Sequence, residues 1–414
     1  MSIGNRLVLS DFFIKWSLFF TSKLKKNKAP NNVSAIENNK KPNEFKTATL
    51  DTEHANDNSE SPIIKSSKTE TPKIEVPSPK VNTHAKKPRP QLIDPYGRKI
   101  DYLRFAITDK CNLRCFYCLP TGFNNFSRIS LQLTQDEIVR IVRIFTELGV
   151  HHVRFTGGEP LLYKDLAALA TRFSTLPGLD DLSLSTNASL LVQQAEKLKQ
   201  AGVNRLNVSL DTLRADRFQK INGGHISDTL DGLMIAKELG FNPIKINMLA
   251  MKDVNDDEFE DMVNFCIDNR FTLRFIETMP ISAAGRKAYE YYLDLQSVEK
   301  RLANNFELIP SIMPGGGPAR YVQVKDTALR IGFITPISQH FCNNCNRIRL
   351  TSTGTLYLCL GNDHALELRE PMRQGQTDAE LKTLIINAIT KKPESHNFID
   401  KPQQVINFMS KLGG

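Results

Sequence analysis

The stretch that decides the fold is residues 102–118, which read YLRFAITDKCNLRCFYC. Its first part, Leu103–Thr108, is an apolar run that predicts a β-strand, and three cysteines follow within eight residues: Cys111, Cys115 and Cys118. Disulfide pairing would leave one thiol over, and a structural zinc site lacks a fourth cysteine or histidine nearby. Three thiolates suit a cluster of four irons and leave one iron without a protein ligand, where a substrate or cosubstrate could bind.

A second set of three cysteines lies further along the sequence. It consists of Cys342 and Cys345 in the pattern CNNC, followed by Cys359. Beside the first cluster, this set predicts a second three-thiolate iron–sulfur cluster with an open iron. The alternative is a zinc ion with His340 or His364 as its fourth ligand. Because both clusters need a reducing compartment, we expect a cytoplasmic protein, with an organelle matrix as the alternative.

The chain after the first cysteines alternates strands and helices. The predicted strands are Leu103–Thr108, Val153–Thr156, Leu182–Thr186, Arg205–Leu210, Ile244–Met251 and Thr272–Glu277. A β–α rhythm repeated over these six strands predicts a parallel, barrel-like sheet. A closed eight-fold barrel takes about 250 residues, more than the span from 103 to 277. We therefore expect an α/β fold with an open, six-fold partial β/α barrel over residues 93–280.

The rhythm changes after Met279. Strand-like runs at Tyr321–Val324, Ala328–Ile334 and Arg347–Thr351 are followed by a helical pattern at Asp378–Lys392. These elements predict a smaller C-terminal α+β subdomain over residues 281–414, which would carry the second cysteine set.

The formal charge of +9 is concentrated near the amino terminus, since residues 1–90 carry +7 and the remainder carries +2. Residues 25–90 are rich in Lys, Asn, Ser, Thr and Pro, so we expect a disordered basic extension over residues 1–92. Within it, residues 7–20 place apolar side chains at helical spacing. Three interpretations stay open: a loosely held tail, an interfacial helix with peripheral membrane association, and an organelle transit peptide. The nearly neutral remainder argues against a nucleic-acid partner.

Several motifs together resemble a known family. CNLRCFYC is similar to the CxxxCxΦC signature of the radical S-adenosylmethionine (SAM) superfamily, with Tyr117 as the aromatic residue, and FTGGEPLL resembles its GGE motif. The stretches LSTN, RLNVSLDTL, RFIETMP and FCNNCNRIRLTSTGTLYLC, with the terminal Gly413–Gly414, resemble the GTP 3′,8-cyclases of molybdenum cofactor biosynthesis. The likeness extends from about Pro95 to Gly414. One departure is Ala188, where this family often has a turn glycine after STN, so the geometry of that turn is in question.

The resemblance implies two 4Fe–4S clusters and SAM as cofactors. The metal ligands would be Cys111, Cys115, Cys118, Cys342, Cys345 and Cys359. SAM would chelate the open iron of the first cluster. The cluster would then cleave SAM and yield a 5′-deoxyadenosyl radical. The residues carried over to the SAM site are Tyr117, Gly158, Glu159, Ser209 and Met279.

The resemblance also implies a GTP site, with the guanine base at the open iron of the second cluster. The residues carried over to it are Arg104, Arg154, Ser185, Lys245, Arg347 and Arg349. Arginine suits a triphosphate because its planar guanidinium pairs with two phosphate oxygens at once. Arg104, Arg154 and Lys245 also lie within apolar runs, where a buried charge needs a partner. The Gly413–Gly414 tail would enter the active site and be needed for catalysis.

The implied reaction begins when hydrogen is abstracted from carbon 3′ of GTP, and the resulting ribose radical adds to carbon 8 of guanine. The implied partners are GTP, an electron donor of unspecified identity, and cyclic pyranopterin monophosphate synthase, which would take the product; a homodimer is also allowed.

Two rival interpretations are a peptide-modifying radical SAM enzyme and a zinc protein that binds nucleic acid. The former usually carries more C-terminal cysteines and lacks NRIRL with Gly-Gly, and the latter conflicts with the near-neutral folded part.

Overall fold

The computed structural model describes residues 90–119, 122–124, 126–402 and 408–413. Residues 90–92 are thus the only described part of the predicted extension, and Gly414 lies outside the described residues. The strands are β1 (Tyr102–Thr108), β2 (His152–Gly157), β3 (Asp181–Thr186), β4 (Arg205–Ser209), β5 (Ile244–Ala250), β6 (Thr272–Glu277), β7 (Leu308–Ser311), β8 (Arg320–Val324), β9 (Arg330–Ile334), β10 (Arg347–Thr351), β11 (Thr355–Tyr357) and β12 (Ala365–Glu367).

Helices follow most of the first strands. They are α1 (Gln135–Glu147), α2 (Leu166–Ser174), α3 (Ala195–Gln200), α4 (Ala215–Asn222), α5 (Ile226–Glu238), α6 (Phe259–Asn269), α7 (Ser282–Ala288), α8 (Leu295–Ala303), α9 (Arg369–Arg373), α10 (Asp378–Ile389) and α11 (Met409–Leu412). The described helices include none that is long and apolar enough to cross a lipid bilayer.

One sheet joins all the described strands, in the order β12-β11-β10-β1-β2-β3-β4-β5-β6-β9-β8-β7. Strands β1 to β6 are parallel neighbours in sequence order, which confirms the predicted open partial β/α barrel. The later strands extend this sheet at both edges, because β10 pairs in parallel with β1 and β9 pairs in parallel with β6. The wall beside the first cysteines therefore includes a strand from the far end of the sequence.

Successive side chains along each strand alternate between the core under the helices and the interior of the partial barrel. Phe155 of β2 is fully buried and stacks on Phe173 of α2, with ring centroids 5.2 Å apart. Its neighbour Arg154 points to the opposite face, as the two-residue repeat of a strand requires, and lines the interior cavity. The apolar residues thus hold the helices, and the alternate positions carry the polar groups of the site.

Two helices begin later than their apolar patterns predict. The apolar pattern of residues 161–174 predicts a helix that begins at Leu161, but a 3₁₀ turn, Pro160–Leu162, precedes the start of α2 at Leu166. The pattern of residues 190–201 predicts a helix that begins at Leu190, whereas α3 begins at Ala195. Before it, Ala188 has φ +63° and its carbonyl accepts from the Leu191 amide, which forms a turn instead. This alanine adopts the left-handed conformation that the usual glycine would take at lower energy.

Candidate active site

A single cavity inside the partial barrel brings together most of the predicted site residues. Those that line it are Arg104, Cys111, Cys115, Tyr117, Cys118, Arg154, Gly158, Glu159, Ser185, Ser209, Met279, Cys342, Cys345, Arg347, Arg349 and Cys359. Lys245 and Gly413 are not among the lining residues. Both cysteine sets therefore open into the same space.

The strand directions place the two cysteine sets at opposite ends of the cavity. Cys111 follows the carboxyl end of β1, whereas Cys345 precedes the amino end of β10, which runs parallel to β1 with Tyr102 opposite Arg347. Strand β11 returns antiparallel to β10, which carries Cys359 back to the same end as Cys345. The basic residues in the middle of β1, β2 and β10 consequently lie between the two sets.

The GGE turn after β2 packs on the loop that begins the first cysteine set. The Gly158 amide donates to the Thr108 carbonyl at 2.8 Å, and the Glu159 amide donates to the Lys110 carbonyl at 2.7 Å. A Cβ at Gly158 would meet the Lys110 carbonyl oxygen at 2.2 Å. Glycine is required there because backbone approaches backbone, and this contact fixes the position of Cys111.

The Glu159 carboxylate is buried and already hydrogen-bonded within the protein. Oε1 accepts from the Thr186 hydroxyl at 2.7 Å and from the Leu161 amide at 3.0 Å, and Oε2 accepts from the Asn187 amide at 2.7 Å. Burial raises the pKa of Glu159 to about 7, although these hydrogen bonds oppose the shift. The carboxylate thus links the GGE turn to the end of β3 beside the cavity.

Tyr117 is held by a residue that the sequence patterns did not single out. Its hydroxyl donates to Asp211 Oδ2, and Asp211 Oδ1 accepts from the Leu249 amide at 2.9 Å. Burial raises the pKa of Asp211 to about 6, and the bond from Tyr117 acts against that shift. Asp211 lies in the quoted RLNVSLDTL stretch and lines the cavity, so its place in that motif was the available signal.

Three arginines form a row across the cavity wall. Arg104 of β1 is in register with Arg349 of β10 on one side and with Arg154 of β2 on the other. Burial, followed by the charges of Arg349 and Arg154, lowers the pKa of Arg104 well below its ordinary value. Like charges crowded in a low-dielectric space repel one another, so this row favours an anionic ligand.

Arg274 of β6 adds a further cation that was missed from the sequence. It lines the cavity, and its guanidinium donates to Asn207 Oδ1. Burial lowers the pKa of Arg274 to about 10. The signal was present, since Arg274 lies in an apolar run in the same way as Arg104.

Lys245 of β5 does not line the cavity. It is buried, and its ammonium lies 5.9 Å from the centroid of the Tyr321 ring. Burial, with a smaller effect from the Arg274 charge, lowers the pKa of Lys245 to about 7. Negative charge bound near Lys245 would therefore raise its pKa and lead the amine to take up a proton.

The second cysteine set is tied together by Lys392. Its buried ammonium donates to the carbonyls of Leu358 and Arg347, the latter at 3.0 Å, and lies 3.8 Å from Cys345 Sγ. Burial acts to raise the pKa of Cys345, but the charges of Arg347 and Lys392 outweigh it and bring that pKa to about 7. Lys392 thus joins the loop of Cys345 to the segment before Cys359, and no sequence motif marked it.

The carboxyl-terminal segment reaches the arginine row. Arg349 donates to the carbonyl of Leu412 at 2.9 Å and also to the carbonyl of Gly413. A Cβ at Gly413 would meet Thr156 Oγ1 at 1.9 Å, and Thr156 lines the cavity. The structure thus brings Gly413 next to two residues that line the cavity, and only a hydrogen side chain fits at this position.

The cysteines of both sets are free thiols. Among the described residues, neither set brings its three sulfurs within 4.8 Å of one another. A single zinc ion holds its thiolates about 3.8 Å apart. The side chain of His364, one of the candidate fourth ligands, has its Nδ1 at 3.0 Å from the Lys391 carbonyl.

Two family models match the sequence of this chain. The Radical SAM superfamily model matches residues 105–266, and the Molybdenum Cofactor Synthesis C model matches residues 271–398. Among solved structures, Streptococcus suis SuiB bound to its precursor peptide SuiA is similar, with a TM-score of 0.50, 15% identity, and coverage of 72% of this chain and 67% of that chain. At that identity, the likeness shows the fold alone.

Curated relatives cover the chain more closely. A protein of Hydrogenovibrio crunogenus named GTP 3′,8-cyclase is 44% identical over 329 residues, which are 78% of this chain and 99% of the relative. A Pseudomonas aeruginosa protein named GTP 3′,8-cyclase 2 is 41% identical over 328 residues, again 78% of this chain and 99% of the relative. The chain therefore belongs to the GTP 3′,8-cyclase family of radical SAM proteins.

Proposed function

We propose that the chain is a radical SAM enzyme that converts GTP to (8S)-3′,8-cyclo-7,8-dihydroguanosine 5′-triphosphate, the first step of molybdenum cofactor biosynthesis. The observation that carries this proposal is the cavity whose two ends hold the cysteine sets and whose wall holds Arg104, Arg154, Arg274 and Arg349. A radical source at one end and a polyanion site beside it are what this reaction needs.

The donor sets fit two iron–sulfur clusters. Each set offers three free thiols, which suits a four-iron cluster with one iron left open, whereas the zinc alternative with His340 or His364 needs a fourth ligand. Cys111, Cys115 and Cys118 would hold the first cluster, and Cys342, Cys345 and Cys359 the second. When bound, the reduced first cluster and SAM supply the 5′-deoxyadenosyl radical that starts the reaction.

The residues beside the first set would bind and orient SAM. Tyr117, fixed by Asp211, presents an aromatic ring to the cavity. Gly158 and Glu159 form the turn packed on the cysteine loop, and Ser209 and Met279 line the same space. The protein's part in this step is to hold the cosubstrate in one orientation and to keep water out.

The residues between the two sets would bind GTP. The row formed by Arg104, Arg154 and Arg349 would neutralise the triphosphate, with Arg274, Arg347 and Ser185 of the cavity lining completing the site. Lys245 would add its charge from outside that lining. Gly413 carries its carbonyl to Arg349, so the tail would orient that guanidinium toward the substrate. Binding in a buried site strengthens each of these charge-assisted contacts.

The proposal extends to the setting of the reaction. It requires a reducing compartment, here the cytoplasm, an electron donor, and transfer of the product to cyclic pyranopterin monophosphate synthase, and it allows a homodimer. It also keeps the division into a barrel at 93–280 and a GTP-binding, auxiliary-cluster part at 281–414, each carrying one cysteine set.

Two cysteine variants test this division of labour. Cys111→Ala should abolish formation of 5′-deoxyadenosine from SAM, whereas Cys345→Ala should retain some SAM cleavage and lose cyclised GTP. The control is Cys266→Ala, since Cys266 is buried in the apolar core away from both sets. If the Cys111 and Cys345 variants lose both products equally, the assignment of one role to each set is wrong.

A further inference from the structure

Two histidines and an aspartate meet outside the cavity, where β1 and β2 begin. Asp101 directly precedes β1, and His151 and His152 stand at the start of β2. The amides of both histidines donate to the Asp101 carbonyl at 3.1 Å, which brings the three side chains to one place. One ligand atom from each of them lies within 4.8 Å of the others, the sole such triad in the described part of the chain.

Hydrogen bonds orient two of the three ligands. His151 Nδ1 lies 3.1 Å from the Gly149 carbonyl, and because a carbonyl only accepts, that nitrogen must carry the proton. The lone pair of the neutral ring is then on Nε2, which lies 4.0 Å from Asp101 Oδ2. The other carboxylate oxygen, Oδ1, accepts from Asn346 Nδ2 at 2.6 Å. Such outer contacts are what fix metal-binding imidazoles and carboxylates in proteins.

His152 supplies an independent observation. Its Nδ1 is buried and has no hydrogen-bond partner among the described residues. A buried ring nitrogen without a partner loses its hydration without compensation. A metal ion that coordinated this nitrogen would remove the penalty.

We infer that Asp101, His151 and His152 form a binding site for a divalent transition-metal ion of the zinc type. Two imidazoles and one carboxylate are a common zinc donor set, whereas Mg²⁺ and Ca²⁺ prefer oxygen ligands throughout. Zinc bonds of about 2.1 Å require donor atoms about 3.4 Å apart, so the side chains need to close by about 1 Å. The Asp101 and His151 side chains are 30% and 26% exposed, which gives the ion and a water ligand access.

The site would link the barrel to the second cysteine set. Asn346, which holds Asp101, lies between Cys345 and Arg347, and its carbonyl accepts from the amides of Asp101 and Tyr102. An ion on Asp101 would therefore fasten the starts of β1 and β2 to the loop before β10. This role is separate from the proposed reaction, because none of the three ligands lines the cavity.

The test is zinc titration of the full-length holoenzyme with its clusters loaded, so that the cysteines are occupied. After removal of loosely held metal with a chelator, Zn²⁺ is added under anaerobic conditions, and binding is followed by calorimetry with zinc and iron measured per chain. We expect one additional zinc per chain at unchanged iron content. We also expect at least tenfold weaker binding in His151→Gln and in Asp101→Asn, whose amide oxygen can still accept from Asn346.

The matched control is His225→Gln, which removes an exposed histidine elsewhere and should bind zinc as the wild type does. Equal binding by the wild type and both site variants would overturn the inference. So would an absence of zinc uptake by the wild type, or uptake matched by a loss of iron.

Discussion

The Tyr117 hydroxyl donates a hydrogen bond of 2.7 Å to Asp211 Oδ2 beside the first cysteine set. Asp211 is buried and Tyr117 is partly buried, and Asp211 is itself held by the Leu249 amide. The ring that would face the SAM adenine is thus anchored to Asp211, which follows β4, and through it to Leu249 of β5. Asp211 is a positioning residue in this arrangement, because it acts through Tyr117.

We expect Asp211→Ala to weaken SAM binding at least tenfold, since loss of a hydrogen bond to a charged group costs about 1.5–3 kcal/mol and frees the ring. Asp211→Asn should lose less, because its amide oxygen can still accept. Equilibrium SAM binding to the cluster-loaded protein measures this, with iron content as the check on folding. Unchanged affinity in Asp211→Ala at full iron content would show that the anchor is not used.

The lowered pKa of Lys245 predicts that the protein takes up a proton when GTP binds. With its pKa lowered to about 7 by burial, the amine is mostly neutral at pH 8 in the free protein. A bound triphosphate would raise this pKa and add close to one proton per GTP. The apparent GTP affinity should accordingly fall as pH rises above 7.

Calorimetry at pH 8 in two buffers of different ionisation enthalpy measures that uptake. Lys245→Arg, which stays charged, and Lys245→Met, which cannot charge, should both bind GTP without it. Proton uptake that persists in either variant would assign it to another group.

Substitution by methionine should affect two arginines differently. Arg98 pairs with Asp94 at 2.5 Å and donates to the Cys342 carbonyl at 2.8 Å, so Arg98→Met should cost about 3–5 kcal/mol by leaving a buried charge unpaired. Arg104 stands in register between Arg154 and Arg349, so Arg104→Met should lower the thermal midpoint less than Arg98→Met does, because it also removes repulsion between like charges. Its GTP affinity should nevertheless fall at least tenfold.

Thermal unfolding and GTP binding of both variants check this contrast. A loss of stability in Arg104→Met as large as in Arg98→Met would mean that Arg104 is a structural residue rather than a ligand for the substrate.

Lys392 should control retention of the second cluster. Lys392→Met removes the cation beside Cys345 and leaves the carbonyls of Arg347 and Leu358 without their donor. We expect iron to fall from about eight toward about four per chain, while the first cluster persists. Lys392→Arg, which can still donate, should retain more iron. Full occupancy in Lys392→Met, measured by iron analysis and electron paramagnetic resonance, would contradict this role.

The sequence patterns predicted the parts of the fold that depend on local chemistry. The strands at Leu103 and Thr272 were recognisable because apolar runs report burial directly. The start of α3 was misjudged, because Leu190 and Leu191 have a helical pattern but follow Ala188 in a left-handed turn. Apolar spacing shows which residues are buried and does not show the backbone conformation.

The site was predictable where residues lie in motifs and unpredictable where distant segments meet. Arg274 could have been found by the reasoning applied to Arg104. The contacts of Lys392 with the Cys345 loop, and of Arg349 with Gly413, join segments separated by more than forty residues. No local sequence pattern encodes contacts between segments so far apart.

The most direct test of the central claim is an anaerobic assay of the cluster-loaded protein with dithionite, SAM and GTP, in which 5′-deoxyadenosine and cyclised GTP are quantified together. The account predicts that both products form in nearly equal amounts, and that omission of GTP leaves only slow, uncoupled SAM cleavage. Full cluster occupancy with 5′-deoxyadenosine but no cyclised GTP would contradict the assignment of GTP as substrate, and the absence of both products would contradict the enzyme assignment itself.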